Sequence, residues 1–265
     1  MYSIFTNKVS QAASEWQNRP LESLYMIVWM DGIVFKVREN GKVINKTVYL
    51  YVGLNKEGLK EVLGMWVGKN ESAAFWMGVL TDLKARGVED ILITVTDNLN
   101  GFTETIKSVF PTSTTQICVV HQIRNSCRYV VWKEKKEFTS DLKNIYNAPT
   151  KEAAKMELEN FEQKWGTKYP YAIRSWRNNW EELTVFFDFP VEIRKIIYTT
   201  NLIENLNGKI RKYTKNKLSF PNDDALKKSV YLAITEIEKK WYQPIWNWAL
   251  IFNQFITIFE NRIQV

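Results

Sequence analysis

Residues 26–37 read Met26-Ile-Val-Trp-Met-Asp-Gly-Ile-Val-Phe-Lys-Val37, an almost unbroken apolar run that holds one carboxylate. Runs rich in β-branched and aromatic residues predict a buried strand. An ionised carboxylate in such a strand loses its hydration, so it needs a compensating charge such as a bound divalent cation. Asp31 is therefore a candidate metal ligand, and the alternative is an edge strand from which its side chain reaches water.

Strand-like segments continue on the carboxyl side of this run, and turn residues separate them. The first strand covers Tyr25–Val37, and Asn40-Gly41 predicts a tight hairpin that leads into a second strand over Lys46–Val52. A third strand spans Glu61–Val67. These three segments predict a β-sheet built around the run that carries Asp31.

Helices and strands alternate over the next fifty residues or so. Ser72 is a candidate N-cap of a helix that ends at Gly87, residues 91–96 form a short apolar strand, residues 102–109 a helix, and residues 116–120 another strand. The predicted order is β-β-β-α-β-α-β. It favours an α/β fold with a mixed sheet and flanking helices.

After His121 the pattern is helical. A charged amphipathic helix is predicted over residues 125–146, then a helix capped by Thr150 and closed by Gly166, and a last apolar helix over 245–259 that is typical of a core helix. We predict four regions: a lead-in helix over 1–24, the first part of the core over 25–124, a helical insertion over 125–190, and the helical C-terminal part of the core over 191–265.

Composition limits the classes of function. The chain has 265 residues, with 36 Lys plus Arg against 29 Asp plus Glu, and its net charge of +7 suits a polyanionic partner. A single histidine, His121, excludes sites that need two histidines. Two cysteines cannot form a disulfide framework, and the sequence holds neither a signal segment nor an apolar run long enough to span a membrane. We expect a soluble protein of a reducing compartment.

Two more carboxylates stand where ligands are commonly bound. Asp97 directly follows the strand at 91–96, where α/β sheets place ligands, although an Asx turn would use the same residue. Glu204 lies in a helix predicted to begin at Asn201, where it could also be the glutamate of a capping box. Asp31, Asp97 and Glu204 together offer the hard oxygen ligands that a pair of Mg²⁺ ions needs for phosphodiester cleavage.

Several local strings carry a family resemblance. The β-β-β-α-β order with an acid in the first strand, a second acid after the fourth and a glutamate on a late helix resembles the RNase H-like fold of DDE transposases and retroviral integrases. Five strings are similar to mutator-type bacterial insertion-sequence transposases: Asp31-Gly-Ile-Val-Phe-Lys-Val-Arg38, Thr96-Asp-Asn-Leu-Asn-Gly-Phe102, Cys118-Val-Val-His-Gln-Ile-Arg-Asn125, Tyr171-Ala-Ile-Arg-Ser-Trp-Arg-Asn-Asn-Trp180 and Tyr198-Thr-Thr-Asn-Leu-Ile-Glu-Asn-Leu-Asn207. The resemblance runs from about Tyr25 to Val265.

The resemblance implies residue roles. Asp31, Asp97 and Glu204 correspond to the catalytic, metal-binding acids of the family, with two Mg²⁺ ions that Mn²⁺ can replace. Cys118 and His121 match its C-x-x-H and Arg211 its basic position after the glutamate, so these three are expected to support the active site. Residues 125–190 correspond to the family's insertion domain.

The resemblance also implies partners and a setting. Expected partners are the terminal inverted repeats of the element, target DNA and a second copy of the chain in a homodimer. A bacterial, cytoplasmic, nucleoid-associated protein is expected. Family members carry a sizeable N-terminal recognition region, whereas about two dozen residues precede the first strand here, which predicts a truncated copy or a catalytic fragment.

A basic segment near the third acid predicts contacts with nucleic acid. Residues 191–217 hold seven basic residues against two acidic ones. Phosphate contacts are expected from Arg194, Lys195, Arg211, Lys212 and Lys215, with a solvated helix face as the alternative. Trp176 and Arg177 are candidates for stacking on an unpaired base, and core packing is the alternative for the tryptophan.

These residues predict a metal-dependent DNA transposase. Water would hydrolyse a phosphodiester at the end of an insertion sequence, and the freed 3′-hydroxyl would then attack target DNA. Two alternatives stay open: a catalytically silent remnant that still binds DNA or protein, and an RNase H-like nuclease acting on RNA-containing duplexes.

Overall fold

The computed structural model describes residues 2–68, 72–97, 101–198 and 201–263. The strands are β1 (Leu24–Glu39), β2 (Lys42–Leu54), β3 (Lys60–Gly68), β4 (Asp90–Thr96) and β5 (Thr114–Ile117). The α-helices are α1 (Tyr2–Asn18), α2 (Ala73–Ala85), α3 (Phe102–Val109), α4 (Val119–Ser126), α5 (Lys135–Tyr146), α6 (Lys151–Trp165), α7 (Pro170–Asn178), α8 (Trp180–Thr184), α9 (Val191–Tyr198), α10 (Asn201–Thr214), α11 (Asp223–Glu238) and α12 (Trp248–Ile258). The predicted β-β-β-α-β-α-β order and the α/β class are confirmed.

The five strands form one mixed sheet in the order β3-β2-β1-β4-β5. β1 pairs antiparallel with β2, and β2 pairs antiparallel with β3. β1 therefore lies in the centre of the sheet, and Asp31 within it is 6% exposed. The edge-strand alternative for Asp31 is wrong, because β2 and β4 flank its strand on either side.

The β1–β2 hairpin forms where Asn40-Gly41 predicted it. Glu39 pairs with Lys42, which leaves a two-residue loop with positive φ at both positions, 50° at Asn40 and 76° at Gly41. Asn and Gly adopt the left-handed conformation at low cost, and a type I′ turn needs it twice. The short loop sets the register that places Asp31 opposite Leu50.

Two local predictions fail between β5 and α5. β5 ends at Ile117, and Val119 and Val120 open α4 instead of extending the strand. The helix predicted over 125–146 is interrupted, because Val130 and Val131 adopt extended backbone with ψ of 129° and 145° between two short 3₁₀ turns. β-branched residues favour extended conformations, so the charged amphipathic pattern of the segment did not decide its backbone at these two positions.

The chain divides into two compact units, described separately below. Unit 1 comprises residues 1–94, 99–114 and 201–265, and unit 2 comprises residues 95–98 and 115–200. In unit 1, Trp76 of α2 is fully buried and meets the rings of Tyr49 and Phe102 at centroid distances of 4.8 and 4.6 Å. These aromatic contacts fix α2 and α3 against the strands of that unit.

Unit 2 is helical and has an aromatic core of its own. Phe138 is fully buried, and its ring lies 4.9 Å from Phe161, 5.4 Å from Trp165 and 5.5 Å from Tyr169. The Thr150 hydroxyl accepts a hydrogen bond from the Ala153 amide at 3.2 Å, which confirms the predicted cap of α6. The predicted insertion at 125–190 falls inside this unit, and its boundaries remain a prediction.

The last helix packs as a core helix along one side. Ile251 and Phe255 of α12 are buried, and the Trp248 indole covers Gly58, where an added Cβ would lie 2.4 Å from the ring. The Trp248 Nε1 donates to the Lys56 carbonyl at 2.9 Å. Within the described ranges, the helices are all too short or too polar to cross a membrane.

Removing the Arg262 guanidinium should destabilise unit 1 by about 2 kcal/mol, because Arg262 anchors the segment after α12. Arg262 donates to Asp90 through Nε at 2.9 Å and Nη2 at 2.7 Å, and to the Thr112 carbonyl at 2.9 Å. Burial alone would raise the pKa of Asp90, but the hydrogen bonds and charge of Arg262 outweigh it and lower that pKa. The measurement is urea unfolding of Arg262→Ala.

The stabilisation that the Arg262–Asp90 pair contributes should decrease as the pH falls. A carboxyl whose folded-state pKa is lowered contributes stability above its unfolded pKa, and that contribution is lost as the pH falls through the folded value. The gap between wild type and Arg262→Ala should therefore be full at pH 7 and shrink toward pH 3. Arg262→Lys, which cannot make the bidentate contact, should recover only part of the gap. Equal stability of all three proteins at pH 7 would contradict the anchor.

Candidate active site

In unit 1, Asp31 is held by two hydrogen bonds. Its Oδ1 accepts from the Gly32 amide at 2.7 Å, and its Oδ2 accepts from the Asn207 Nδ2 at 2.5 Å. The Asn207 side chain comes from α10, and the residue is 3% exposed. One hydrogen bond from the central strand and one from α10 thus fix the orientation of the buried Asp31 carboxylate. Residues that hydrogen-bond to a metal ligand orient it in this way.

Asn207 was missed by the sequence analysis. Its Oδ1 is buried and accepts no hydrogen bond from the residues that the structure describes. A buried amide oxygen beside a buried carboxylate is an oxygen donor of the kind that hard cations, or a water bound to one, would use. The signal was present, because Asn207 follows Ile203 by four residues and so lies on the buried side of the helix.

Glu204 lies three residues before Asn207 on α10 and is partly buried. Residues three apart share a helix face, so Glu204 occupies the same side of α10, one turn toward its N-terminus. The capping-box alternative depends on the Asn201 side chain, which lies outside the described residues. Glu204, the third predicted acid, thus lies on the same helix as Asn207, the residue that donates a hydrogen bond to Asp31.

The apolar face of α10 holds Ile203, Leu206 and Ile210, all of which are buried. At its end Thr214 is buried, whereas Tyr213 is 59% exposed. The Thr214 hydroxyl donates to the Ile210 carbonyl at 2.9 Å, which satisfies that hydroxyl inside the core. Arg211, Lys212 and Lys215 are exposed, as a phosphate-contacting face requires.

In unit 2, Asp97 and His121 form a pair. The His121 Nδ1 lies 3.8 Å from the Asp97 Oδ1, and the two side chains are 14% and 30% exposed. The Cys118 amide donates to the Thr96 carbonyl at 2.7 Å, so α4 begins beside the end of β4 and carries His121 to Asp97. The Asx-turn alternative for Asp97 concerns residues 98–100, which lie outside the described residues.

The two cysteines hold structural positions. Cys118 is 3% exposed at the N-cap of α4, where its backbone amide anchors the helix, and this matches the interpretation of a buried cysteine at a strand end. The side chain is buried, and its support of the active site stays a prediction. Burial raises the pKa of Cys127, so its thiol is not activated.

One predicted DNA contact, Arg194, makes hydrogen bonds inside unit 2. Arg194 donates to the carbonyls of Pro149 and Phe187 at 3.1 Å each, and its guanidinium lies 4.9 Å from the centre of the Phe187 ring. These contacts tie α9 to the segments before it, which favours a structural role for Arg194, and its phosphate contact stays a prediction. Lys195 is exposed.

The stacking prediction for Trp176 is also corrected. Trp176 is 1% exposed, and its Nε1 donates to the Ser126 hydroxyl at 2.9 Å, so the core-packing alternative describes it. Arg177 is exposed and forms an ion pair with Glu162. A base cannot reach the Trp176 ring without opening the core of unit 2.

Other aromatic rings of unit 2 do face solvent, and the sequence analysis did not single them out. Trp132 is 86% exposed, Tyr129 63% and Tyr171 55%, and the Arg128 guanidinium lies 5.7 Å from the centre of the Tyr129 ring. The signal for them was the adjacency of basic and aromatic residues in Arg128-Tyr129 and Trp132-Lys133.

Comparisons with known proteins agree on one family. The model described as "Transposase, Mutator family" matches residues 1–244. A probable transposase for insertion sequence element ISRM3-like of Sinorhizobium fredii is 43% identical over 99% of this chain and 66% of its own length. A probable transposase for insertion sequence element of Corynebacterium diphtheriae is 40% identical over 90% of this chain and 70% of its own length. The chain thus spans slightly less than two thirds of the length of the Sinorhizobium relative.

A comparison of structures found a much weaker likeness. The cryo-EM structure of the simian T-cell lymphotropic virus intasome in complex with PP2A regulatory subunit B56 gamma matches with a TM-score of 0.28 and 14% identity. The match covers 56% of this chain and 50% of that one.

Proposed function

The chain belongs to the mutator family of transposases, and on this premise we propose that it cleaves DNA strands and transfers them to target DNA in the transposition of an insertion sequence. The observation that carries the proposal is Asp31, a buried carboxylate in the central strand that is held by Asn207 of the helix bearing Glu204. Burying an ionised carboxylate is costly, and a cation bound beside it would offset that cost.

We propose further that the core is RNase H-like, with residues 125–190 as its helical insertion. The order of the elements and the sheet order β3-β2-β1-β4-β5 support this class. Asp31 lies on β1 and Asp97 directly follows β4, the neighbour of β1 in the sheet.

The donor set supports divalent cations at the site. In unit 1, Asp31 and Glu204 offer carboxylates, and in unit 2 Asp97 offers a carboxylate beside the His121 imidazole. Carboxylate oxygens and the Asn207 amide oxygen suit Mg²⁺ or Mn²⁺. Such ions, when bound, would lower the pKa of water and stabilise charge on the leaving oxygen.

The protein's own residues position the reactants. Asn207 holds the Asp31 carboxylate in one orientation, and Asp97 beside His121 can orient that imidazole toward a phosphate or water. Arg211 and Lys215, on the face of Glu204, would contact phosphates next to the cleaved bond. Two in-line displacements follow: hydrolysis at the element end frees a 3′-hydroxyl, and this hydroxyl attacks a phosphodiester of target DNA.

The proposed partners are the terminal inverted repeats of the element, target DNA and a second copy of this chain that brings two ends together. The proposed setting is the bacterial cytoplasm, at the nucleoid. Both parts of the proposal follow from the family and from the net charge of +7, which suits a polyanionic substrate.

The proposed activity is tested on labelled duplexes that carry an inverted-repeat end, including nicked and unpaired-end forms, with Mg²⁺ or Mn²⁺. We expect metal-dependent cleavage and strand transfer by the wild type and neither product with Asp97→Asn. An RNA–DNA hybrid serves as a comparison substrate, and its preferred cleavage would favour an RNase H-like nuclease instead. Absence of both cleavage and metal binding in calorimetry would contradict the proposal.

A further inference from the structure

Unit 1 contains a pocket between α10 and α11 whose lining includes Lys212, one of the predicted phosphate contacts. Its volume is about 420 Å³, and it is lined by Lys209, Lys212, Tyr213, Glu236, Ile237 and Lys240. We call it the lysine pocket. α10 is the helix that carries Glu204 and Asn207, so the lysine pocket and the candidate active site share one rigid element.

Positive charge in the lysine pocket exceeds negative charge. Lys209, Lys212 and Lys240 are exposed, and no salt bridge joins any of them to an acid in the part of the chain that the structure describes. Glu236, the acid in the lining, is paired with Lys239 instead. Three ammonium groups thus surround a concave surface in which the one carboxylate is already paired.

A fourth lysine strengthens the positive potential at this place. Lys60 at the start of β3 is partly buried, and its Nζ lies 5.6 Å from the centre of the Trp241 ring. Burial lowers the pKa of Lys60, and the charge of Lys209 lowers it further. Like charges brought close enough to disturb one another are destabilising, and an anionic ligand would relieve that repulsion.

The lining combines charge with an aromatic ring and an apolar floor. Tyr213 is 59% exposed, and Ile237 beneath is 3% exposed. Ammonium groups bind phosphate oxygens, while a phenol ring can contact sugar or donate a hydrogen bond to phosphate. This combination of point charges and an aromatic ring fits the sugar–phosphate backbone of a nucleic acid.

The position of the lysine pocket along α10 is close to Glu204. Lys209 and Lys212 follow Glu204 by five and eight residues, which is a rise of about 7.5 and 12 Å at 1.5 Å per residue. At about 100° per residue, Lys212 lies about 80° and Lys209 about 140° around the helix from Glu204. DNA held at Glu204 would therefore reach the lysine pocket by passing around α10.

We propose that the lysine pocket binds backbone phosphates of the DNA substrate a few nucleotides away from the bond that is cleaved. The inference rests on the proposed function, since it assigns DNA as the ligand of the same unit. It adds Lys209 of α10 and Lys240, which follows the end of α11, to the DNA-contacting residues.

The test measures binding of the full chain to two fluorescein-labelled duplexes of unrelated sequence, by anisotropy over a series of salt concentrations. Removing one phosphate-binding side chain lowers the slope of log Kd against log salt by about 0.9. We expect Lys209→Ala/Lys240→Ala to lower the slope by about 1.8 and to weaken both duplexes to the same extent. Lys227→Ala, an exposed lysine of α11 outside the lysine pocket, should leave the slope unchanged.

The outcomes separate this inference from the proposed function. A double variant that retains the wild-type slope and Kd overturns the lysine pocket as a DNA site, whether or not the wild type cleaves DNA. A lowered slope in a protein that cleaves no substrate supports the lysine pocket and contradicts the transposase activity. Thermal unfolding of the double variant should match the wild type, because both side chains are exposed.

Discussion

Asp31→Asn should reduce DNA cleavage at least about 10³-fold, which corresponds to about 4 kcal/mol of transition-state stabilisation. The substitution removes one negative charge from the centre of the sheet but retains the shape of the side chain. An amide is a weak ligand for Mg²⁺ compared with a carboxylate, so metal binding should fall together with cleavage. The measurements are cleavage of labelled duplexes and titration calorimetry with Mn²⁺.

The fold should tolerate this substitution. The new amide at position 31 still offers an oxygen to the Gly32 amide, and Asn207 can turn its Oδ1, which has no partner among the described residues, toward the new NH₂ group. The free energy of unfolding should change by less than about 1 kcal/mol. Asp224→Asn, an exposed acid of the same unit paired with Lys228, is the control and should cleave at the wild-type rate. Full activity of Asp31→Asn would refute the metal site.

Trp176→Ala should cost about 3 to 5 kcal/mol of unfolding free energy, because it removes a fully packed indole from unit 2. The variant also leaves the Ser126 hydroxyl without its Nε1 donor, although that hydroxyl still donates to the Gln122 carbonyl at 2.7 Å. Urea unfolding followed by tryptophan fluorescence and circular dichroism measures the decrease in stability.

Two companion variants distinguish packing from DNA stacking. Trp176→Phe retains much of the buried volume and should cost clearly less than the alanine variant, whereas Arg177→Ala removes an exposed ion pair and should change stability by less than about 1 kcal/mol. If Trp176→Ala were as stable as the wild type and had reduced affinity only for unpaired-end DNA, the stacking interpretation would be right and the burial argument wrong.

Local patterns were sufficient for much of the fold. The apolar run around Asp31, the Asn40-Gly41 turn and the caps at Ser72 and Thr150 predicted their elements to within a few residues, because each depends on neighbours in the chain. The predictions failed where extended backbone interrupted a charged amphipathic segment at Val130 and Val131. Periodicity reports which face is apolar, and it does not report where a helix stops.

Some functional residues could be predicted from the sequence, and others could be identified only from the structure. Sequence alone singled out Asp31, because a carboxylate in an apolar strand is costly wherever the chain folds. It could not find Asn207 as the partner of Asp31, since the two residues are 176 positions apart and meet only through the packing of α10 on the sheet. It also could not decide between exposed and buried roles for Trp176 and Arg194, whose residue types suit either one.

The sequence by itself determined the order of the elements, the apolar faces and the family of this protein, because these depend on residue type and short-range spacing. Only the tertiary structure decided that β1 lies in the centre of the sheet, that Asn207 orients Asp31, and that Lys209 of α10 and Lys240 after α11 line one pocket. The physical reason is that burial and electrostatic potential arise from groups far apart in the chain, and no local pattern encodes which of them will meet.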